Sequence, residues 1–210
     1  MNCNELFRFD KTDDHCTIAE YLAKENSLIT SAEIPGTYNG KPVTEIREGA
    51  FAEAKYLERV KFPDSVKVIE YRAFYGCSGL RDIVWGSGLT DIDWLAFERC
   101  TAFERLVIPE GVQTIDEYAF AECGSLREVI LPHSLEYLNA CAFRYCTELE
   151  KVVFLNKNIH IHNLAFADCP KLPAETILFS MTGGSYDTEA PFFWDYLSFD
   201  LNAALRKDIF

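Results

Sequence analysis

The chain is short of positive charge. Its 20 lysines and arginines stand against 33 acids, for a formal net charge of −13, and such an excess repels phosphate backbones and anionic lipid. Nucleic acid is therefore not an expected partner. Long hydrophobic runs are missing too: no stretch approaches the roughly 18 apolar residues of a membrane span, so no membrane insertion is expected. The opening Met1-Asn2-Cys3-Asn4-Glu5-Leu6-Phe7-Arg8-Phe9-Asp10 has no basic segment followed by an apolar stretch, which reads as an unsecreted, cytoplasmic chain. Among the eight cysteines there is no Cys-x-x-Cys, the spacing on which many zinc sites are built. What remains is a chain of 210 residues, 49 % hydrophobic and 25 % charged, long and apolar enough to bury a core.

That apolar content is periodic. The dipeptide Ala-Phe occurs at Ala50-Phe51, Ala73-Phe74, Ala96-Phe97, Ala119-Phe120, Ala142-Phe143 and Ala165-Phe166, every step being 23 residues. Other columns keep the same phase. Four residues after the alanine stand Ala54, Cys77, Cys100, Cys123, Cys146 and Cys169, and three further on Leu57, Leu80, Phe103, Leu126, Leu149 and Leu172. Next come Val60, Ile83, Leu106, Val129 and Val152, then Phe62, Trp85, Ile108, Leu131 and Phe154; the last apolar column is Ile46, Ile69, Ile92, Ile115, Leu138 and Ile161. A unit of this length cannot close a core alone, so its apolar residues must stack on those of the next coil.

The spacing Leu57-x-x-Val60-x-Phe62 is that of the strand segment in leucine-rich repeats. Units such as Leu126-x-x-Val129-x-Leu131-Pro132, running on through Leu138 to Ala142-Phe143-x-x-Cys146, resemble the BspA-type leucine-rich repeats of bacteria and some protists. The resemblance covers about Ile34 to Leu172. The stretch from Ile34-Pro35-Gly36 through Asn39-Gly40 to Ile46 is similar to that family's first repeat with its longer turn. One departure concerns the asparagine ladder of many leucine-rich repeats: its position holds Ser65, Gly88, Gly111, Ser134 and Lys157. Proteins of the resembled family are often surface adhesins that carry signal peptides, so the resemblance implies a binding module.

An open solenoid exposes its last apolar layers, and terminal segments normally seal them. Before Ile34, two β-prone patches, Leu6 to Phe9 and Cys16 to Tyr21, flank the turn-like Lys11-Thr12-Asp13-Asp14, which predicts a hairpin cap over residues 1–33. After Leu172 the phase fails, with Glu175 where a core aliphatic belongs. There Pro173 can open a short helix through about Met181, ended by Gly183-Gly184, and Phe193, Leu197, Leu201, Leu205 and Ile209 recur at helical spacing from about Phe192 onward. The expected fold is a mainly β, curved leucine-rich-repeat stack over 34–172, with a β-hairpin N-cap and a helical C-cap over 173–210. The competing reading of that tail is a docking helix for a partner.

Five cysteines share one column, one coil apart, about 4.8 Å in a parallel stack. This lies within bridging range, but parallel Cβ vectors disfavour a bond, and cysteine serves as a small buried hydrophobe. A ladder of reduced thiols is expected, which suits a cytosolic compartment. His160-x-His162 could present two imidazoles on one strand face, but no third ligand is indicated. No metal or cofactor is assigned.

Columns that vary between coils are the outward ones. One reads Glu58, Arg81, Glu104, Arg127, Glu150, alternating in sign, and the next, Arg59, Asp82, Arg105, Glu128, Lys151, does the same. Lateral neighbours of opposite sign attract, and the alternation penalises a slip of one whole repeat. The following column is Lys61, Val84, Val107, Ile130, Val153. Strand alternation turns it away from the core, so Val84, Val107, Ile130 and Val153 form a surface ridge of four aliphatics. They are the candidate partner-binding residues, on the concave sheet face; plain β-propensity is the competing reading. A further column, Glu70, Asp93, Asp116, Asn139, His162, places three acids a coil apart, either solvated or bridged by a cation such as calcium.

Catalysis needs convergent groups in a pocket. Gly86-Ser87-Gly88 and Gly183-Gly184-Ser185 lack the spacing of a nucleophile elbow or phosphate loop, and His15, His133, His160 and His162 have no evident partner. The expected function is a non-catalytic protein-interaction or scaffolding module. The alternatives are a cell-surface adhesion module for a host protein or glycan and, more remotely, a metal-dependent enzyme.

Overall fold

The structure is a computed structural model that describes residues 5–156 and 158–173. The N-terminal segment forms β1 (Phe7–Lys11), β2 (Cys16–Tyr21), β3 (Ser31–Glu33), β4 (Thr37–Tyr38) and β5 (Lys41–Ile46). Each later coil then supplies two strands: β6 (Arg59–Lys61) and β7 (Val68–Ile69), β8 (Asp82–Val84) and β9 (Asp91–Ile92), β10 (Arg105–Val107) and β11 (Thr114–Ile115), β12 (Glu128–Leu131) and β13 (Tyr137–Leu138), and finally β14 (Lys151–Phe154) and β15 (His160–Ile161). The result is a mainly β solenoid. The expected helices from Pro173 and from Phe192 lie outside the described residues.

The Ile46-to-Ile161 column forms the longest sheet. Strands β5, β7, β9, β11, β13 and β15 pair in parallel without interruption, Ile46 opposite Ile69, Ile69 opposite Ile92, and so on to Leu138 opposite Ile161. These strands are two residues long after the first, too short to leave an alternation in the sequence. The N-terminal hairpin joins the same sheet: β1 and β2 are antiparallel, and β2 pairs with β5 in parallel. The longer turn of the first repeat is a second hairpin, β4 with β5, closed by Asn39 and Gly40 at φ 50° and 76°, the Asn-Gly conformation that suits a two-residue turn.

The Ala-Phe-x-x-Cys segment makes the third side of each coil, and its residue types follow from its geometry. The phenylalanine amide donates to the alanine carbonyl of the next coil, as in Phe74 to Ala96 and Phe97 to Ala119, both at 2.7 Å; the small alanine lets the backbones approach that closely. The rings stack face to face into a spine: Tyr21–Phe51 4.9 Å, Phe51–Phe74 4.5 Å, Phe74–Phe97 5.0 Å, Phe97–Phe120 5.1 Å, Phe120–Phe143 5.3 Å and Phe143–Phe166 5.5 Å. Tyr21, from the N-terminal hairpin, fills the first place in this column, and Phe7 packs on it at 5.9 Å. Each column thiol donates to the phenylalanine carbonyl one coil back: Cys77 to Phe51 at 3.1 Å, Cys100 to Phe74 at 3.2 Å, and Cys169 to Phe143 at 3.1 Å. Cysteine is thus both a filler and a donor.

The sheet built by the Leu-x-x-Val-x-Phe segments is broken. Strands β3, β6 and β8 form one parallel ladder and β10, β12 and β14 another. No pairing joins β8 to β10, and most Cα pairs between them lie more than 8 Å apart, against about 4.8 Å in a ladder. Two features produce this seam. Coil residues 86–88 are drawn toward the preceding coil: a Cβ on Gly86 would stand 2.1 Å from the Pro63 carbonyl oxygen, and one on Gly88 2.1 Å from that of Asp64. On the far side the leucine column carries the bulkier Phe103, whose ring lies 6.3 Å from that of Phe97, and on the near side the Phe62 column carries the bulkier Trp85, edge-on to Phe97 at 5.9 Å. One coil is pulled back and the interface is wedged with aromatics.

Candidate interaction surface

The outward column on the broken sheet holds the residues singled out from the sequence. Register places Val107 beside Ile130 and Ile130 beside Val153. Val107 is 41 % exposed, and Val84, Ile130 and Val153 are half-buried. Val84, however, pairs with Lys61 in the other ladder. The expected strip of four adjacent aliphatics is therefore three in continuous register, with Val84 across the seam.

The flanking charges follow the same division. Arg59 pairs with Asp82 at 3.2 Å, and Arg81 with Glu58. On the other side Glu128 lies between Arg105 and Lys151, at 2.7 Å from each; hydrogen bonds from Lys151 and Arg105 hold its carboxyl below the usual glutamate range. Among the described residues no ion pair crosses from Arg81 to Glu104 or from Asp82 to Arg105. Among the described residues the second column is thus paired throughout except at the seam, while the first is paired only at Glu58–Arg81.

The acidic column lies at the ends of the unbroken sheet. Burial first, then the charges of Asp116, Asp91 and Glu70, push the Asp93 carboxyl up to about 6. Asp116 accepts from the Asn139 side chain at 2.9 Å, and Glu70 from the Glu48 amide at 3.0 Å. Among the described residues no three acids, histidines or cysteines converge as a metal site. The His160 ring stacks on Tyr137 at 5.2 Å, while the His162 ring accepts from the Leu164 amide at 3.2 Å. The other histidines have partners that spacing could not show: His133 contacts Glu110 at 3.0 Å, and His15 contacts the Thr12 hydroxyl at 3.0 Å with Glu45 at 3.9 Å. Thr12 also accepts from the His15 amide, so its hydroxyl closes the β1–β2 turn.

A cluster of aromatic residues and arginines, missed in the sequence, flanks the Ala-Phe turns. Tyr71 packs on Trp94 at 5.1 Å, the Arg72 guanidinium lies over Tyr71 and Tyr75, and Arg99 donates to the Tyr75 hydroxyl at 2.7 Å while paired with Glu122 at 2.9 Å. Arg144 covers Tyr145 and pairs with Asp168 at 2.9 Å. These partners are 24 residues apart as often as 23, so alignment by columns hides them. The seven cysteines among the described residues are free and buried, and burial raises Cys100, Cys123 and Cys146 well above the usual thiol range.

Residues 44–173 match the BspA type leucine rich repeat region in six copies. The chain belongs to that family. Solved structures of similar proteins agree with the BspA-type fold. A leucine-rich repeat protein of T. pallidum is 26 % identical with a TM-score of 0.66, the match covering 86 % of this chain and 96 % of that one. A leucine rich cell surface protein of Faecalibacterium prausnitzii A2-165 is 30 % identical with a TM-score of 0.64, over 70 % of this chain; the BspA-type chain spans only 37 % of that protein. A leucine-rich repeat protein of Bacteroides capillosus is 28 % identical with a TM-score of 0.51, covering 71 % of this chain and 94 % of that one. No curated protein matches in sequence. No helix among the described residues is long and apolar enough to cross a membrane.

Proposed function

We propose that this BspA-type stack is a protein-interaction module that presents the outward face of β10, β12 and β14, with Val84 nearby, to a protein partner. The observation that carries the reading is the row Val107, Ile130, Val153, aliphatic side chains held in register at the surface beside the Arg105–Glu128–Lys151 ion-pair chain. An apolar strip with a charged border has the composition of an interface rather than of a solvated sheet face. Nothing in the site demands a cofactor, and the reading is non-catalytic. Affinity capture from native lysate with the wild-type chain and with Val107→Asp tests it: a partner retained by the first and lost by the folded second is expected, and equal capture by both rejects the strip.

A second reading is a cell-surface adhesion module, favoured by the match to a protein described as a cell surface protein. The free buried thiols suit a reducing compartment instead, which supports a cytoplasmic site of action. Fractionation of the native cell with an antibody to the chain separates the two.

A further inference from the structure

We propose that the seam between β8 and β10 receives an extended segment of a partner protein as an added β-strand, an inference that rests on the reading of this face as protein-binding. In the intact ladders, backbone bonds cross every coil interface: Phe62 donates to Val84 at 2.8 Å, and Ile108 to Ile130 at 3.0 Å. The equivalent bonds from Trp85 to Val107 and from Glu104 to Arg81 are missing among the described residues. In a parallel ladder successive residues point their N–H and C=O alternately to the two neighbouring strands. Those of Ile83 on β8 and of Val107 on β10 thus face the seam, with no strand pairing across it.

The core of this face is open at the gap, as it is at Phe154 in the last described coil. Val60, Leu106 and Val129 are buried and so are Phe62, Ile108 and Leu131, yet Ile83 and Trp85 in the same columns are half-exposed. Two unpaired strand edges, most of their Cα pairs more than 8 Å apart and with apolar side chains between them, are too far apart to bond directly and offer donors and acceptors to an added strand, which would lie about 4.8 Å from each edge once the seam widens to admit it. Charge also defines the occupant. Each of its leading positions lies between one acid and one base, Arg81 with Glu104 and then Asp82 with Arg105, so a charge of either sign gains and loses equally. The seam therefore selects an extended segment with apolar residues at alternate positions, facing Ile83 and Trp85, and is indifferent to its charge.

The probe is a fluorescein-labelled nonapeptide with the sequence of residues 125–133 of this chain, which contains β12, a strand that pairs in parallel with β10 and β14. Saturable anisotropy is expected with the full chain. A copy N-methylated at alternate amides should bind at least about tenfold more weakly, because methylation removes donors without changing the side chains. The variant Phe103→Leu with Trp85→Phe restores the residues of neighbouring coils; it should slow hydrogen exchange at the Ile83 and Val107 amides and lose the peptide. Absence of saturable binding by the wild type, or equal binding of the methylated copy, overturns strand addition; so does retained binding by a variant with those amides protected. If the amides stay unprotected in the variant, the methylated copy alone decides. Val153→Asp lies outside the seam: loss of partner capture with peptide binding retained upholds both readings, capture without any peptide binding leaves the strip and removes the added strand, and peptide binding with capture indifferent to Val107→Asp and Val153→Asp does the reverse.

Discussion

At the level of single residues, environment decides what a titratable group contributes. Glu128, held between two cations, is favoured as a carboxylate; Asp93, half-buried and facing Asp116, Asp91 and Glu70, is favoured as the acid, at about 6. Because the folded state binds the Asp93 proton more tightly than an unfolded aspartate near 3.9 does, the stabilisation from this group is complete below about pH 4 and is lost as pH rises through about 6. Asp93→Asn keeps the shape and removes the charge. It should melt higher than wild type at pH 7.5, with the gap narrowing toward pH 4.5, in paired thermal scans by circular dichroism; a gap independent of pH would reject the assignment. The cysteine column shows a different constraint. Each column thiol sits in a dry interior yet donates to a carbonyl, which explains why the column holds cysteine rather than leucine or valine; Ala54, in the first coil, lacks that donor.

Among the elements, short parallel strands draw stability from their lateral neighbours. Glu128 touches a cation on each side, so Glu128→Lys replaces two attractions by two repulsions at the centre of β10, β12 and β14. A small loss of stability is expected at low salt, since exposed pairs are weak and screened, and the loss should shrink in 0.5 M sodium chloride; urea melts at both salt levels measure it. The same substitution at Glu104 would report less, because Glu104 makes no ion pair among the described residues. This difference marks what the sequence could show. The period and the core columns were legible because identical residues recur at one spacing, and the N-terminal hairpin because two β-prone patches flank a turn. The seam was not, because it arises from three departures at one interface, Gly86 in a column mostly of prolines, Trp85 and Phe103, none of which breaks the period. The Arg99–Tyr75 and Arg144–Asp168 contacts escaped for a related reason: their partners fall one residue out of phase.

The whole molecule is quasi-one-dimensional, and its ends matter accordingly. The N-terminal hairpin covers Phe51 with Tyr21 and Phe7 and pairs β2 against β5, so it is both lid and first rung. A chain beginning at Ile34 should expose that aromatic surface and the free edge of β5 and should self-associate; light scattering behind size exclusion would show it, and a monodisperse monomer would count against the capping role. The spine itself has a mechanical consequence. Its ring spacing widens from 4.5 Å at Phe51–Phe74 to 5.5 Å at Phe143–Phe166, and dispersion weakens steeply with distance. With the chain stretched between its ends in an optical trap, the coils on the Phe166 side of the seam should yield one by one, each rip releasing one 23-residue unit and about 80 Å of contour, the stack behaving as a graded spring whose stiffest turns lie next to the hairpin.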